Sequence, residues 1–255
     1  MAEGRGAAST LKGRLADVYV PALVDGSLQA LSRRLGNRAT IDDPVFGRAS
    51  TLSSIDPLLE KVSRRFDAMG ATYRHVASAT GVDRDVSEGL IVVGSSSGTS
   101  ELPIAVVAER RRLREIELRV YYATGSGEGN TRPPLLDGDL DAPIPQIVAH
   151  VLEALRKGAV ERVLSAFEES SRFVDPAGKS HPKRDGSMAS FIAKIGGGRL
   201  ELVPAGVADD GRTCCVEAVA TPQGTARRND AESVAMSFER GDSGLLRELR
   251  LYYEP

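Results

Sequence analysis

VPALVDGSLQALSRRLGNRATIDDPVFG, residues 20–47, decides the reading, because HVLEALRKGAVERVLSAFEESSRFVDPAGK, residues 150–179, follows the same pattern. Asp25-Gly26 falls on Lys157-Gly158, and Asp43-Pro44 falls on Asp175-Pro176, an offset of 132 residues (175 − 43). Near the end of each half, Glu117-Leu118-Arg119-Val120-Tyr121-Tyr122 matches Glu248-Leu249-Arg250-Leu251-Tyr252-Tyr253, an offset of 131 (248 − 117). Ordered matches at a nearly constant offset mark an internal duplication. Between the copies runs GSGEGNTRPPLLDGDLDAP, residues 125–143, whose Gly, Pro and Asp content is that of a linker. The expected domains are therefore 1–128 and 129–255.

Working outward, each copy has the same order of elements. Leu15, Val18, Tyr19 and Ala22 recur at helical spacing over residues 11–23, and Asp25-Gly26 ends that helix. A second helix carries Leu28, Leu31 and Leu35; a short strand, 39–43, stops at Pro44. A third helix holds Ile55, Leu58, Leu59, Val62 and Phe66. Four strands follow, at 72–80, 88–93, 102–108 and 115–122. The second copy predicts helices over 147–155, 159–170 and 188–195, and strands over 172–175, 200–207, 213–220, 231–238 and 246–253. Helices followed by a meander argue an α+β fold: two tandem cone-shaped domains, each a curved antiparallel sheet wrapped by three helices around one pocket, packed as a pseudo-dimer.

Composition narrows the function. The chain has 255 residues, 41% of them hydrophobic, with 33 basic and 35 acidic side chains and a net charge of −2. That balance lacks the basic face of a nucleic-acid binder. The local run Arg110, Arg111, Arg112 and Arg114 has no aromatic interleaving and reads as a solvated turn between strands. No apolar run approaches a membrane span and MAEGRGAAST lacks a signal stretch, so a soluble cytoplasmic protein that binds neither membrane nor nucleic acid is expected. Cys214 and Cys215 are neighbours in a strand, pointing to opposite faces, and have no metal-ligand spacing around them. GSSSGTS, residues 94–100, is a hairpin loop without a P-loop lysine.

The order helix, Asp-Gly, helix, Ala39-Thr40-Ile41-Asp42-Asp43-Pro44, helix, meander, Glu117-Leu118-Arg119-Val120-Tyr121-Tyr122 resembles the nuclear transport factor 2-like superfamily, which includes SnoaL-like cyclases, limonene-epoxide-hydrolase-like proteins and ketosteroid isomerases. The resemblance covers most of both copies and is closest to ketosteroid isomerase in the first. It implies Asp43 as general base and Tyr19 as hydrogen-bond donor to an oxyanion, an arrangement in which the surroundings tune each acid and base to its task. It also implies a pocket walled by Leu118, Val120 and Tyr122, a small apolar molecule as ligand, and no metal or organic cofactor. The second acid of the isomerase pattern would fall near Ala105, where no carboxylate stands, and Val151 replaces tyrosine in the second copy, where Asp175 keeps the base position. Isomerisation, cyclisation or epoxide opening are the implied reactions; a non-catalytic ligand-binding or protein-interaction module with degenerate pockets is the alternative.

Each candidate has a plainer reading beside this one. Asp43 and Asp175 precede proline and suit Asx-turns, and Tyr19 suits the core with its hydroxyl at the rim. His75 shares a strand face with Tyr73 and Ala77 and would pair with Asp43 if that face is concave. His150 and His181 have no partner visible in sequence. Alternation places Glu117, Arg119 and Tyr121 on the face opposite Leu118, Val120 and Tyr122. The first set, with Glu248, Arg250 and Tyr252, is expected to pack the two sheets together through Glu–Arg pairs, in a monomer that contains its own dimer interface.

Overall fold

A computed structural model describes residues 11–95, 98–111, 115–123, 134–136, 142–196, 200–222 and 232–253. The first half comprises α1 (Leu15–Val24), α2 (Leu28–Leu35), β1 (Ala39–Asp43), β2 (Gly47–Ala49), α3 (Leu52–Ala68), β3 (Thr72–Thr80), β4 (Arg84–Ser95), β5 (Gly98–Arg110) and β6 (Ile116–Tyr122). The second comprises α4 (Gln146–Arg156), α5 (Val160–Ser165), β7 (Phe167–Val174), β8 (Ser180–Pro182), α6 (Ser187–Gly196), β9 (Leu200–Asp209), β10 (Thr213–Pro222), β11 (Glu232–Arg240) and β12 (Leu246–Tyr252). The elements run in one order twice. Strand order repeats too: β2-β1-β6-β5-β4-β3 in one sheet and β8-β7-β12-β11-β10-β9 in the other.

The duplication extends to details that only backbone geometry explains. Gly26 and Gly158, the matched glycines after α1 and α4, both adopt left-handed φ, +72° and +63°, which lets the chain turn out of each helix. Thr40–Glu117 and Ile41–Leu118 pair in the first sheet; their counterparts Arg172–Glu248 and Phe173–Leu249 pair in the second. Each edge pair also carries a register shift at the same place, across Val76 in β3 and across Ala205 in β9.

Three features differ from the expectation. The meander strands are antiparallel, but β1 joins β6 and β7 joins β12 in parallel, so both sheets are mixed. The predicted helix over 159–170 ends at Ser165, and Phe167–Val174 is strand, because that segment alternates buried Phe167, Ser171 and Phe173 with exposed residues and completes a ladder with β12. The three-residue strands β2 and β8 are additions that fold back on β1 and β7. Arg112 and Arg114 of the basic run, residues 96–97 of the 94–100 loop and most of the 125–143 linker lie outside the described residues.

Each half has its own core. In the first, α1–α3 cover the sheet face bearing Ile91, Ile104, Val106, Leu118 and Val120. In the second, α4–α6 cover Val216, Met236, Leu249 and Leu251. The opposite faces meet in a third apolar cluster, in which Ala79, Val86, Ala105, Val107 and Tyr121 pack against Ala208, Cys215, Ala235 and Tyr252. Cys214 and Cys215 do point to opposite faces: Cys214 lies in the second core and Cys215 at the sheet–sheet contact, both reduced. Burial pushes the Cys214 thiol up to about 12, so it is an inert packing group.

Two buried ion clusters fix the register of the halves. Arg119 donates from Nε and Nη2 to the two oxygens of Glu217, each at 2.7 Å, and Tyr121 donates to Glu217 Oε1 at 2.6 Å. Reciprocally, Arg250 donates to Glu88 at 2.7 and 3.2 Å, and Tyr252 donates to Glu88 Oε2 at 2.6 Å. A residue set i on j matched by j on i is the signature of an isologous, twofold contact. Burial alone would raise both glutamates. The guanidinium opposite each, with its hydrogen bonds, outweighs that and holds Glu88 and Glu217 below the ordinary carboxylate range. The expected Glu–Arg pairing is thus present, but the glutamates that cross the contact are Glu88 and Glu217. Glu117 and Glu248 contact the arginine of their own strand, at 3.5 and 2.7 Å.

Candidate functional site

Asp43 is the last residue of β1, and the strand's alternation separates it from Asp42. Asp42 points to the opposite face of the sheet, equally buried, where it accepts from Arg48 at 3.3 Å and from the amide of Leu135 in the linker at 3.1 Å. Asp43 turns inward and is 2% exposed. Its Oδ1 accepts the amides of Val45 and Phe46, both at 2.9 Å, and the hydroxyl of Tyr122 at 3.0 Å. Among the described residues Oδ2 has no hydrogen-bond partner, so one oxygen is anchored and the other keeps its lone pairs. Burial lifts Asp43 above the usual carboxylate range, against the lowering effect of those three donors.

Tyr19 projects from α1 into the same interior and is 1% exposed. Its hydroxyl has no partner among the described residues. Burial first, and the charge of Asp43 second, hold its phenol far above the usual range, so it remains a protonated donor. Leaving a buried hydroxyl unpaired costs about 1–3 kcal/mol. Leu118 and Val120 are fully buried in the core around this pair, and Tyr122 packs at its edge. Burial, then the charge and hydrogen bond of Asp43, also keep Tyr122 protonated. The first half therefore gathers Asp43, Tyr19, Tyr122, Leu118 and Val120 in one interior.

His75 is not part of it. It is exposed on edge strand β3, where Nε2 meets Ser78 Oγ at 2.8 Å, and Ser78 donates to Asp17 Oδ1 at 2.7 Å. This chain of contacts lines a surface groove of about 680 Å³ with Arg14, Pro21 and Tyr73, outside the cone. The expected couple with Asp43 does not form: the ring of Tyr73, on the same strand face, lies over Gly89, the cross-strand partner of His75, where a Cβ would come within 2.2 Å of it, and His75 is left at the exposed edge. Ala105, the position of the missing second acid, faces the other sheet; its neighbours Ile104 and Val106 face the cone, and both are apolar.

Asp175 occupies the matching place in the second half but has different company. Oδ1 accepts the amides of Ala177 at 3.0 Å and Lys179 at 2.9 Å, and Oδ2 meets His181 Nε2 at 2.9 Å. His181, expected in a loop without a partner, lies in β8 and is buried. Val151 fills the place of Tyr19. The strand β8 is three residues long and carries no periodicity, so nothing in the sequence signals this pair. A signal for Glu88 and Glu217 does exist: each is the lone acid on its strand face, at an offset of 129 (217 − 88).

Among the described residues no group of three or more His, Cys, Asp or Glu side chains is placed to hold a metal ion, and no helix is long and apolar enough to cross a membrane. No family model matches the sequence, and no curated protein matches it either. Solved structures similar to this chain include the epoxide hydrolase/cyclase-like enzyme SalBIII of pyran ring formation in the polyether salinomycin, at 18% identity over 42% of this chain and 88% of that one, with a TM-score of 0.36. TerC co-crystallised with polyporic acid is similar at 16% identity over 43% of this chain and 89% of that one, TM-score 0.36. A nuclear transport factor 2-like protein of unknown function from Cytophaga hutchinsonii is similar at 14% identity over 45% of this chain and 95% of that one, TM-score 0.35.

Proposed function

We propose that the first cone is the working site: it takes a small apolar molecule bearing an oxygen acceptor, and Asp43 and Tyr19 act on it as base and hydrogen-bond donor. The observation that carries this reading is the buried, unpartnered Tyr19 hydroxyl beside a carboxylate with one free oxygen. A carbonyl or epoxide oxygen seated against Tyr19 satisfies that donor, and charge developing on the oxygen is stabilised where it forms. Asp43, raised by burial toward working pH, accepts or returns a proton through Oδ2, while Oδ1 stays fixed by Val45, Phe46 and Tyr122. With no second acid at Ala105, the reaction class is acid–base isomerisation, cyclisation or epoxide opening with a single oxyanion donor, without a cofactor.

One observation favours a second, non-catalytic reading as a binding or interaction module: Asp43 also closes an Asx-turn with Val45 and Phe46, a structural task that needs no substrate. Titration with p-nitrophenol separates the two. The first reading expects binding that Tyr19→Phe weakens by about tenfold, the loss of one hydrogen bond of about 1.4 kcal/mol, and it expects Asp43→Asn to abolish turnover of any substrate found. Equal p-nitrophenol affinity in wild type and Tyr19→Phe removes Tyr19 from the site and leaves Asp43 its turn role.

A further inference from the structure

The second cone carries a pair of its own that the first lacks. His181 lies in β8 opposite Phe173, and its ring stacks on Phe191 of α6 at 4.4 Å and 21°. Its Nε2 stands 2.9 Å from Asp175 Oδ2. Asp175 is itself held by two backbone amides through Oδ1, so the carboxylate cannot swing away from the ring. With Asp175 ionised, Nε2–H is the donor and the lone pair resides on Nδ1, which has no hydrogen-bond partner among the described residues. The His181 side chain is 10% exposed and that of Asp175 14%, so the pair is desolvated without being sealed. Asp185, before α6, and Tyr253, after β12, are the other titratable groups near it.

The geometry points to a second proton-transfer site in this protein, with His181 as general base, Asp175 as the residue that positions it, and an activated C–H acid that reaches the unpaired Nδ1 as the substrate class. This inference is independent of the role given to Asp43. The carboxylate fixes the tautomer and stabilises the imidazolium that forms, as an oriented acid does for any histidine base. Nitrobenzisoxazole is a suitable probe, because its opening needs only a base. Nδ1 takes the proton from the ring carbon beside nitrogen. The C–H electron pair becomes the third C–N bond of a nitrile, the N–O bond breaks with its pair on oxygen, and coloured cyanonitrophenolate leaves. The imidazolium then returns the proton to water.

The experiment uses the full chain carrying Asp43→Asn, so that the first cone is silent. That protein is expected to open nitrobenzisoxazole faster than buffer. Adding His181→Gln should lower the rate about 100-fold, within the range of a general base, and adding Asp175→Asn about tenfold. A rate equal to buffer, or one that His181→Gln leaves unchanged, overturns the assignment. Should the His181 variant fail to fold, nitrogen NMR of the wild-type histidines decides: His181 is expected with Nε2 protonated and Nδ1 bare, and the opposite tautomer overturns the assignment equally.

Discussion

The two halves of this chain share a frame and differ in what the frame encloses. The strand order, the parallel pairing beside the Asp-Pro turn, the left-handed glycines and the Arg–Tyr–Glu contacts all repeat. The interiors do not: the first presents Asp43 to Tyr122 and Tyr19, the second presents Asp175 to His181 and sets Val151 where Tyr19 would be. The difference follows from where each residue is needed. Each ion cluster at the contact takes its arginine and tyrosine from one half and its glutamate from the other, so neither half can change alone. Each cone is lined by its own half and is free to diverge.

Even the contact departs from perfect symmetry, and the departure gives the largest expected effect. Glu217 faces two guanidinium groups, Arg119 at 2.7 Å and Arg84 at 3.3 Å, whereas Glu88 faces Arg250 and the hydroxyl of Ser237. Removing one member of a buried pair strands the other charge and costs about 3–5 kcal/mol. Glu217→Ala is expected at or above the top of that range and Glu88→Ala nearer its foot, by denaturant unfolding. Equal losses would mean that the two clusters are energetically equivalent despite Arg84. The double replacement of Arg119 and Glu217 by methionine should recover most of the loss, because it removes both charges together.

Acid should act on the same clusters. Glu88 and Glu217 titrate below their unfolded value near 4.5, so the stability they contribute is fully present above that pH. It drains away as pH falls through their lowered folded values. Thermal unfolding from pH 7 downward should therefore show a loss of stability beginning below about pH 4.5, attenuated in the Arg119/Glu217 double methionine variant. A decline that is identical in the two proteins would place the acid-sensitive groups elsewhere.

Asp43 has the opposite sign. Its folded value is raised, so protonation favours the folded state, and wild-type stability gains from this group as pH falls through the raised value toward the unfolded one near 3.8. Asp43→Asn removes the titration. The stability difference, variant minus wild type, should be greatest at neutral pH and shrink on acidification. A difference that is constant with pH would mean that Asp43 is not desolvated as its burial indicates.

The likeness of the halves also explains what is legible in the sequence. Periodicity finds the helices and the meander, since β1 at 39–43 and β3 at 72–80 coincide with the structure. Alternation in Glu117–Tyr122 separates core from contact correctly, because a strand has only two faces. What escapes depends on distant partners. His181 meets Asp175 only because three residues fold back as β8. His75 stays out of the first cone because the Tyr73 ring lies over Gly89, its cross-strand partner. The helix expected over 159–170 loses its second half to a ladder with β12, a tertiary pairing that outweighs local propensity.

The most direct measurement is the melting temperature of Tyr19→Phe at neutral pH. An unpaired buried hydroxyl, which we propose is met by a ligand's oxygen, is a burden on the ligand-free fold. Removing it should stabilise the protein by about 1 kcal/mol, a rise of roughly 2–4 °C for a chain of this size. A fall in melting temperature would show that the hydroxyl already serves the structure, and that the first cone does not differ from the second in the way described.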